Sequence, residues 1–544
     1  MIYYLALVVS VVSYYCVACV WTICTHHQVW CQKKIKQRSV RWWRRLEKKF
    51  TSYVLMKFAH SMISYLQSIF ALDTRSLALL RILIWCIIIW DLLTWLQFLA
   101  AFHTDVWLLP QSVLLSNYQM ENIWSVHSIS SSYWYQLILW WWQMIIAIMF
   151  VIGHKTQAMT ILLWILTLSL HWHNPLILNW WDTVVRLILF LGMFLPLWHQ
   201  RSLDNNKYKN IPISVFSIAT VGYVLQVCFI YIFATILKDH PRWTTDFTAV
   251  YYSLSLEPFV TSIWSWVYNY PELMKWLTIF SYYLEWYGLF LLLIPWKNNF
   301  RRILCIALFV MFHIWLGLTM KLYSFPYIMV WLWLALVPAG WWDKLMRLGW
   351  KNIDTINIVT TIHIQKLHPL ISGFLILCLV YIFSRNLRST DFDKYDDWFP
   401  AHMNRFWFLF RIDQYWNMFA PYPFVDDGRV VIEGKKKDGS SINLISPESR
   451  FTLNKPSDMW SYYPQERRRK YYTSMWMKKN RDYRQYGANY HCHAWNTVHP
   501  DDPISSIKRY YMLERTLEDY ETRPIEEVVL YEWACTIYAS HLLK

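Results

Sequence analysis

Ten long apolar stretches recur along the chain, and they constrain its fold more than any other feature. They cover residues 2–24, 77–102, 133–152, 157–170, 181–198, 212–237, 274–295, 303–320, 326–341 and 369–384. A helix that crosses a bilayer needs about 20 mostly apolar residues, so 157–170 and 326–341 are short candidates. Only 16% of the chain is charged, whereas soluble domains carry about 25%. The sequence therefore predicts an all-α polytopic membrane protein with about ten transmembrane helices.

The basic residues are distributed unevenly, and this distribution predicts an orientation. Residues 33–49 contain nine Lys or Arg and one acidic residue, whereas the loop 103–132 contains no Lys or Arg. Short cytoplasmic loops of membrane proteins accumulate Lys and Arg. We therefore expect the basic segment in the cytoplasm and the N-terminus outside. Alternation over ten spans then places the C-terminal domain on the extracytoplasmic side, which is the periplasm in a bacterial inner membrane.

The composition changes after the last apolar stretch, and it suggests four regions. They are an N-terminal membrane anchor with a basic cytoplasmic or interfacial segment (1–70), a transmembrane domain (71–345), a final transmembrane segment (346–384) and an extracytoplasmic α+β domain (385–544). In the last region, Val430 and Ile432 alternate with polar residues before the turn dipeptide Asp438-Gly439. This pattern predicts a β-hairpin.

The charge distribution indicates which partners to expect, and the cysteines of the last region indicate a possible disulfide. The net charge is +16, but residues 385–544 hold 24 basic and 22 acidic side chains, so the excess lies on the membrane part. We therefore expect the lipid bilayer and no nucleic acid as a partner. Cys492 and Cys535 are disulfide candidates because an extracytoplasmic location permits oxidation. The adjacent ligands His491-Cys492-His493 lack the spacing of a metal site, and we expect none.

Several titratable residues fall inside the apolar stretches. They are Arg81, Asp91, Asp182, Arg186, Glu285 and His313. Charged groups at this depth are costly, so they are usually paired or functional. Asp182 and Arg186 are four residues apart, and we expect a structural ion pair on one helix face. Glu285 and His313 have no partner nearby in sequence, which favours a functional role, although a buried histidine can simply serve the packing.

Lys238 is the most suggestive residue of the sequence. It follows an apolar stretch and stands five residues before Trp243. A lysine that is partly removed from water can lose its proton and act as a base. The alternative is a lysine that anchors the helix at the membrane surface. His171 and His173 lie on the same predicted outer side, where they could share one cavity with Lys238.

A set of motifs resembles a known family of membrane proteins. The motifs are Asp73-Thr-Arg-Ser-Leu-Ala-Leu-Leu-Arg81, His103-Thr-Asp105-Val-Trp-Leu-Leu-Pro110, Ser169-Leu-His-Trp-His173-Asn174-Pro175, Asp182 with Arg186, Phe194-Leu-Pro196 and Ser202-Leu-Asp204. Together they resemble the HTTM (horizontally transferred transmembrane) superfamily, which includes the vitamin K-dependent γ-carboxylase-like proteins. The resemblance extends from about Asp73 to Asp343.

The resemblance implies an enzyme and assigns roles to residues. Lys238 matches the proposed catalytic base, His173 or His171 would stabilise the developing charge, and His313 matches a recurrent histidine. Substrate or cofactor would be bound by Trp243, Arg81, Asp105 and Glu285. The cofactor would be a reduced quinone, either vitamin K-like or a ubiquinol or menaquinol, used with O2 and CO2. The enzyme would remove a proton from a peptide or another substrate at the outer membrane face, and could carboxylate it.

Two other functions remain open on the sequence. The first is a non-catalytic maturation, immunity or chaperone partner of a secreted peptide. The second is a transporter, which ranks last because neither internal repeats nor Gly/Pro-broken helices are evident. Substitution of Lys238 by Arg distinguishes the maturation partner from the enzyme. Arg can replace a lysine that anchors the helix, but it cannot replace a base that must lose its proton.

Overall fold

A computed structural model describes most of the chain and shows a mainly helical protein. The described residues are 56–57, 60–104, 124–207, 211–294, 298–347, 358–391, 399–446, 451–456, 459–463, 465–518, 521 and 524–535. The apolar stretch 2–24 and the basic segment 33–49 lie outside them. Residues 68–544 form one compact unit, and the following description concerns this unit.

The α-helices of this unit are numbered in chain order. They are α1 (Thr74–Leu96), α2 (Leu99–His103), α3 (Tyr133–Ile152), α4 (Thr156–His173), α5 (Trp180–Gly192), α6 (Ile218–Ile236), α7 (Pro241–Thr244), α8 (Ala249–Leu254), α9 (Trp264–Val267), α10 (Pro271–Tyr287), α11 (Phe290–Leu293), α12 (Asn298–Thr319), α13 (Phe325–Leu334), α14 (Ala339–Arg347), α15 (Pro369–Thr390), α16 (Ala401–Leu409), α17 (Met459–Tyr462), α18 (Glu466–Ser474) and α19 (Arg484–Val498).

The strands form two sheets. They are β1 (Leu72–Asp73), β2 (Ile211–Phe216), β3 (Ile358–Ile364), β4 (Asp426–Lys436), β5 (Ser441–Asn443), β6 (Ile504–Arg515) and β7 (Glu526–Ala534). The first sheet has the order β1-β2-β3, with β2 antiparallel to β1 and parallel to β3. The second has the order β5-β4-β6-β7 and is antiparallel throughout.

Six helical segments of the described residues are long and apolar enough to cross a membrane. They are Thr74–Leu96, Tyr133–Ile152, Ile218–Ile236, Pro271–Leu293, Asn299–Thr319 and Pro369–Thr390. A seventh would be α13 with α14, which meet at a bend of 92°. The sequence predicted nine spans within this part of the chain. The multi-pass character is thus supported, whereas the count of ten is not.

The stretch 212–237 is a candidate span only in its second part. Its first residues form strand β2, and the helix begins only after Ser217. The Ser217 hydroxyl accepts a hydrogen bond from the Thr220 backbone N–H, and the Thr220 hydroxyl accepts one from the Ser217 N–H. This reciprocal cap fixes the start of α6. Hydropathy does not detect the boundary, because β-branched residues such as Ile211 and Val215 suit a strand as well as a buried helix.

The C-terminal sheet agrees with the predicted hairpin. Strands β4 and β5 pair across a turn in which Gly439 has a φ of +87°, a conformation that favours glycine. Helix α19 packs against β6 and β7 and carries Cys492, which forms a disulfide bond with Cys535 after β7. The disulfide, which the sequence left open, is therefore present in the structure.

The core of the helical part continues beyond the last candidate span. Trp407, Ile412 and Trp416 are buried and belong to the same hydrophobic cluster as the membrane helices. The Trp407 ring packs against the rings of Phe374 and Tyr381 in α15. These three residues before β4 therefore belong to the helical core.

Candidate functional site

A cavity of about 350 Å³ lies between α6, α8, α10, α12 and α13, beside the segment that precedes β4. Most of its wall is apolar or aromatic, with side chains that include Phe280, Phe312, Trp315, Phe325, Phe419 and Met418. Polar residues interrupt this wall, among them Lys238, Glu285, His313 and Tyr231, together with Ser253, Ser281 and Thr319. Apolar cavities with a few convergent polar groups are typical of sites for small ligands.

Lys238 is held at the cavity by a tight turn. Helix α6 ends at Ile236, and Pro241 opens α7 after the His240 ring accepts a hydrogen bond from the Arg242 N–H. This turn brings the Lys238 amine to 4.7 Å from the centre of the Trp243 ring. The Trp243 indole N–H donates to the Phe419 carbonyl, which fixes the ring. The five-residue spacing thus produces a cation–π contact.

Glu285 is the charged partner of Lys238. The Lys238 Nζ lies 2.5 Å from Glu285 Oε2, and the Thr235 hydroxyl lies 3.2 Å from the same oxygen. Lys238 is 5% exposed and Glu285 6%. Lys238 therefore does not serve as an anchor at the membrane surface. This partner of Glu285 could not be predicted from local sequence, because 47 residues separate the two.

His313 lines the same cavity through a second polar group. Its Nε2 lies 2.8 Å from the Tyr231 hydroxyl, which also accepts a hydrogen bond of 2.7 Å from the Trp333 indole N–H. His313 is 2% exposed, and its buried Nδ1 atom has no hydrogen-bond partner among the described residues. Lys238 and His313 thus line the same cavity.

His171 and His173 do not line this cavity, which corrects the expectation of one shared site. Both are buried at the end of α4. The His173 ring packs against His103 and His127, with ring centres 5.1 and 5.9 Å away. His171 lies 3.5 Å from Asp182. The two histidines thus belong to buried groups outside the cavity, His173 with His103 and His127, and His171 with Asp182 and Arg186.

The predicted partner of Asp182 is also corrected. Asp182 pairs with Arg467 of α18, at 2.9 Å, and not with Arg186, which contacts His171 at 3.1 Å. Arg467 also pairs with Asp91 at 2.5 Å. Burial alone would lower the pKa of Arg467, but the two carboxylates raise it above its ordinary value. No sequence signal pointed to Arg467, which is 285 residues from Asp182.

Asp91, His171 and Asp182 are close enough together to hold a metal ion. The guanidinium of Arg467 already binds both carboxylates, however, and supplies the positive charge that they require. A divalent cation beside this guanidinium would be repelled. We therefore interpret the group as an ion-pair network between the helices and the C-terminal domain.

Other residues of the sequence motifs stabilise the fold instead of lining the cavity. Arg81 donates to the carbonyl oxygens of Leu197 and Arg201. Asp73 accepts from the Arg75 N–H at the start of α1, and Asp204 accepts from the Thr156 N–H at the start of α4. A ligand-binding role of Arg81 in this cavity is therefore not supported. Asp105 lies outside the described residues.

Comparison of the chain with protein-family models, curated proteins and solved structures finds no match. The resemblance carried by the motifs therefore stays a prediction. The function has to be argued from the cavity and its own residues.

Proposed function

We propose that the protein is an integral membrane enzyme of the carboxylase-like class, with its site in the cavity of Lys238, Glu285 and His313. The observation that carries the proposal is the buried Lys238–Glu285 pair in the wall of an apolar cavity. Burying an ion pair among apolar helices is costly. Ionisable residues at such positions therefore most often have a function.

The Lys238–Glu285 pair can hold and move a proton. It can exist as ammonium and carboxylate, or as amine and carboxylic acid, and the two forms differ by one proton transfer along the 2.5 Å hydrogen bond. When the proton is on Glu285, the Lys238 amine can take a proton from a hydroxyl group in the cavity. The aromatic walls keep water away from this amine, which strengthens the electrostatic interactions there.

The cavity suits the reduced quinone that the resemblance implies. Its aromatic and Met-rich walls would contact the ring, and Lys238 and His313 are polar groups that can face ring oxygens. When bound, such a quinol would supply the electrons that reduce O2. The use of CO2 and of a peptide substrate rests on the resemblance. The placement of the site at the outer face of a bacterial inner membrane rests on the resemblance and on the distribution of basic residues.

Substitution of Lys238 tests this function. Membranes from cells that produce the protein are supplied with reduced menadione, and the consumption of O2 above that of control membranes is recorded. Lys238→Arg keeps the charge but cannot release its proton, so we expect the protein-dependent rate to fall by about 10²-fold or more. Lys275→Arg, an exposed position on α10, is the control and should keep the rate. An unchanged rate in Lys238→Arg would contradict the proposal.

The alternative is a non-catalytic maturation, immunity or chaperone partner of a secreted peptide. One observation favours it: β7 pairs with β6, and no other described strand pairs with its opposite edge. An open edge can bind an extended peptide as an additional strand. Absence of quinol-dependent O2 consumption in the wild type, with full function of Lys238→Arg in peptide maturation, would favour this alternative.

A further inference from the structure

The cavity of Lys238 and Glu285 is not closed, and the exposure of its wall shows where it opens. Of the described residues that line it, Phe280 and Met311 are exposed, by 47% and 57%, whereas the others are buried or half-buried. An opening in a wall exposes the side chains at its rim. Phe280 of α10 and Met311 of α12 therefore mark the mouth of the cavity.

The mouth lies along the seam between α10 and α12, which is closed at another point. The Cys305 Sγ atom lies 3.3 Å from the carbonyl oxygen of Gly288, which directly follows α10. A Cβ atom at Gly288 would lie 2.9 Å from the Phe309 ring, so this contact is tightly packed. Phe280 precedes Gly288 by eight residues, a rise of about 12 Å along α10. Met311 follows Cys305 by six residues, a rise of about 9 Å along α12.

Both rim residues lie near the middle of a candidate span. Phe280 is the tenth of 23 residues in Pro271–Leu293, and Met311 is the thirteenth of 21 in Asn299–Thr319. Other large side chains of the same two helices are exposed as well, namely Trp276, Tyr283, Ile314 and Leu318. At the middle of a spanning helix, an exposed apolar surface meets lipid hydrocarbon and not water. The mouth is thus in the part of the two spans that meets the bilayer interior.

The charged end of the cavity lies away from the mouth. Glu285 follows Phe280 by five residues, a rise of about 7.5 Å along α10. Glu285 and its partner Lys238 are 6% and 5% exposed, so the pair forms the inner end. A ligand with a polar group at this pair keeps its opposite end at the mouth. The cavity has the size of a small-ligand site, so a long tail has to leave it between α10 and α12.

We propose that the cavity is loaded from the bilayer through this mouth, by a quinone or quinol whose ring faces Lys238 and Glu285 while its isoprenoid tail passes between Phe280 and Met311. The choice of a quinone as the ligand rests on the proposed function. The two rim residues determine specificity, because they admit molecules that dissolve in the membrane. A charged, water-soluble molecule would have to cross hydrocarbon to reach the mouth, which is costly.

Spin labels test the position of the mouth and the path of the tail. Met311→Cys is labelled with a nitroxide in detergent, and the protein is then reconstituted into nanodiscs. Ile314→Cys is the matched control, because Ile314 is exposed on the same helix and is not one of the residues that line the cavity. The signal of wild-type protein treated in the same way is subtracted to remove the native cysteines. Electron paramagnetic resonance measures the collisions of each nitroxide with O2, which dissolves in hydrocarbon, and with chromium oxalate, which stays in water.

We expect both nitroxides to collide more with O2 than with chromium oxalate. Menaquinone-4, which carries an isoprenoid tail, should reduce the O2 collisions of the Met311→Cys label about threefold, because the tail fills the mouth and most of the ligand surface becomes covered. The Ile314→Cys label should not change. The tail-less 2,3-dimethyl-1,4-naphthoquinone should leave both labels unchanged.

Three results would overturn the proposal. The first is preferential collision of the Met311→Cys label with chromium oxalate, because the mouth would then open to water. The second is an equal effect of menaquinone-4 on both labels, which includes no effect on either. The third is an equal effect of the two quinones on the Met311→Cys label. Phe280→Cys, with the exposed Tyr283→Cys as its control, repeats the comparison on α10 and decides the question if a variant of α12 does not fold.

The measurement requires no turnover, so its outcome can be distinguished from that of the proposed function. A menaquinone-4 effect at Met311→Cys, together with an unchanged O2-consumption rate in Lys238→Arg, would mean that the enzyme proposal fails while the membrane-facing mouth stands. A lowered rate in Lys238→Arg without this effect would mean that the enzyme proposal stands while the proposed path of the tail fails.

Discussion

Replacement of Arg467 by Met should loosen the C-terminal domain from the helices. Arg467 is the only described cation within ion-pair distance of both Asp91 and Asp182, and its guanidinium also lies 4.2 Å from the Trp95 ring centre. Met has a similar length but no charge. The substitution therefore leaves two carboxylates near each other without compensation, at the contact between α1, α5 and α18.

The structure sets the size of the effect. Loss of one partner from a buried ion pair costs about 3–5 kcal/mol. The side chain of Asp182 is 2% exposed, but that of Asp91 is 25% exposed and can be partly hydrated. We therefore expect the lower end, about 3 kcal/mol. Since about 1.4 kcal/mol corresponds to a factor of ten, local opening of α18 should become about 150-fold more frequent.

Hydrogen–deuterium exchange of the Glu466–Ser474 helix measures this opening directly. Arg515→Met is the control, because the Arg515–Asp426 pair is exposed and should change exchange by less than about threefold. The triple variant Arg467→Met, Asp91→Asn, Asp182→Asn should recover most of the protection, because neutral amides leave no uncompensated charge. Wild-type exchange in Arg467→Met, or no recovery in the triple variant, would refute the reasoning.

Two further predictions concern the C-terminal domain. Burial raises the pKa of Asp427 to about 7, so the folded state binds more protons than the unfolded state between about pH 4 and 7. The stabilisation that Asp427 contributes is therefore present at low pH and lost as the pH rises through 7. Asp427→Asn should remove this contribution to the pH dependence of the thermal unfolding temperature. The comparison is made between variants, because burial lowers the pKa of His491 to about 3 and acts in the opposite direction. The disulfide keeps Cys492 from reacting with a maleimide until it is reduced. Labelling of Cys492 in reduced, intact cells would support an extracytoplasmic C-terminal domain, and labelling only after permeabilisation would contradict it.

Some parts of the site follow from neighbouring residues in the sequence. The proximity of Lys238 and Trp243 could be predicted from their spacing, because a single turn between α6 and α7 brings the two side chains together. The same is true of the β4–β5 hairpin, whose turn depends on Asp438-Gly439. The assignment of Asp182 to Arg186 failed for a related reason. Residues four apart on a helix can pair, but a bidentate guanidinium from another domain competes better for the carboxylate.

The membrane character of this protein can be predicted from the sequence alone, because its apolar stretches of helical length need no tertiary information to be recognised. The sequence also singles out Glu285 and His313 within those stretches and Lys238 directly after one of them. That these three share one cavity, and that His171 and His173 lie outside it, is visible only in the folded protein. The physical reason is that burial and hydrogen-bond direction depend on helices that are distant in sequence. No local pattern records that Glu285 contacts Lys238, or that Tyr231 contacts both His313 and Trp333.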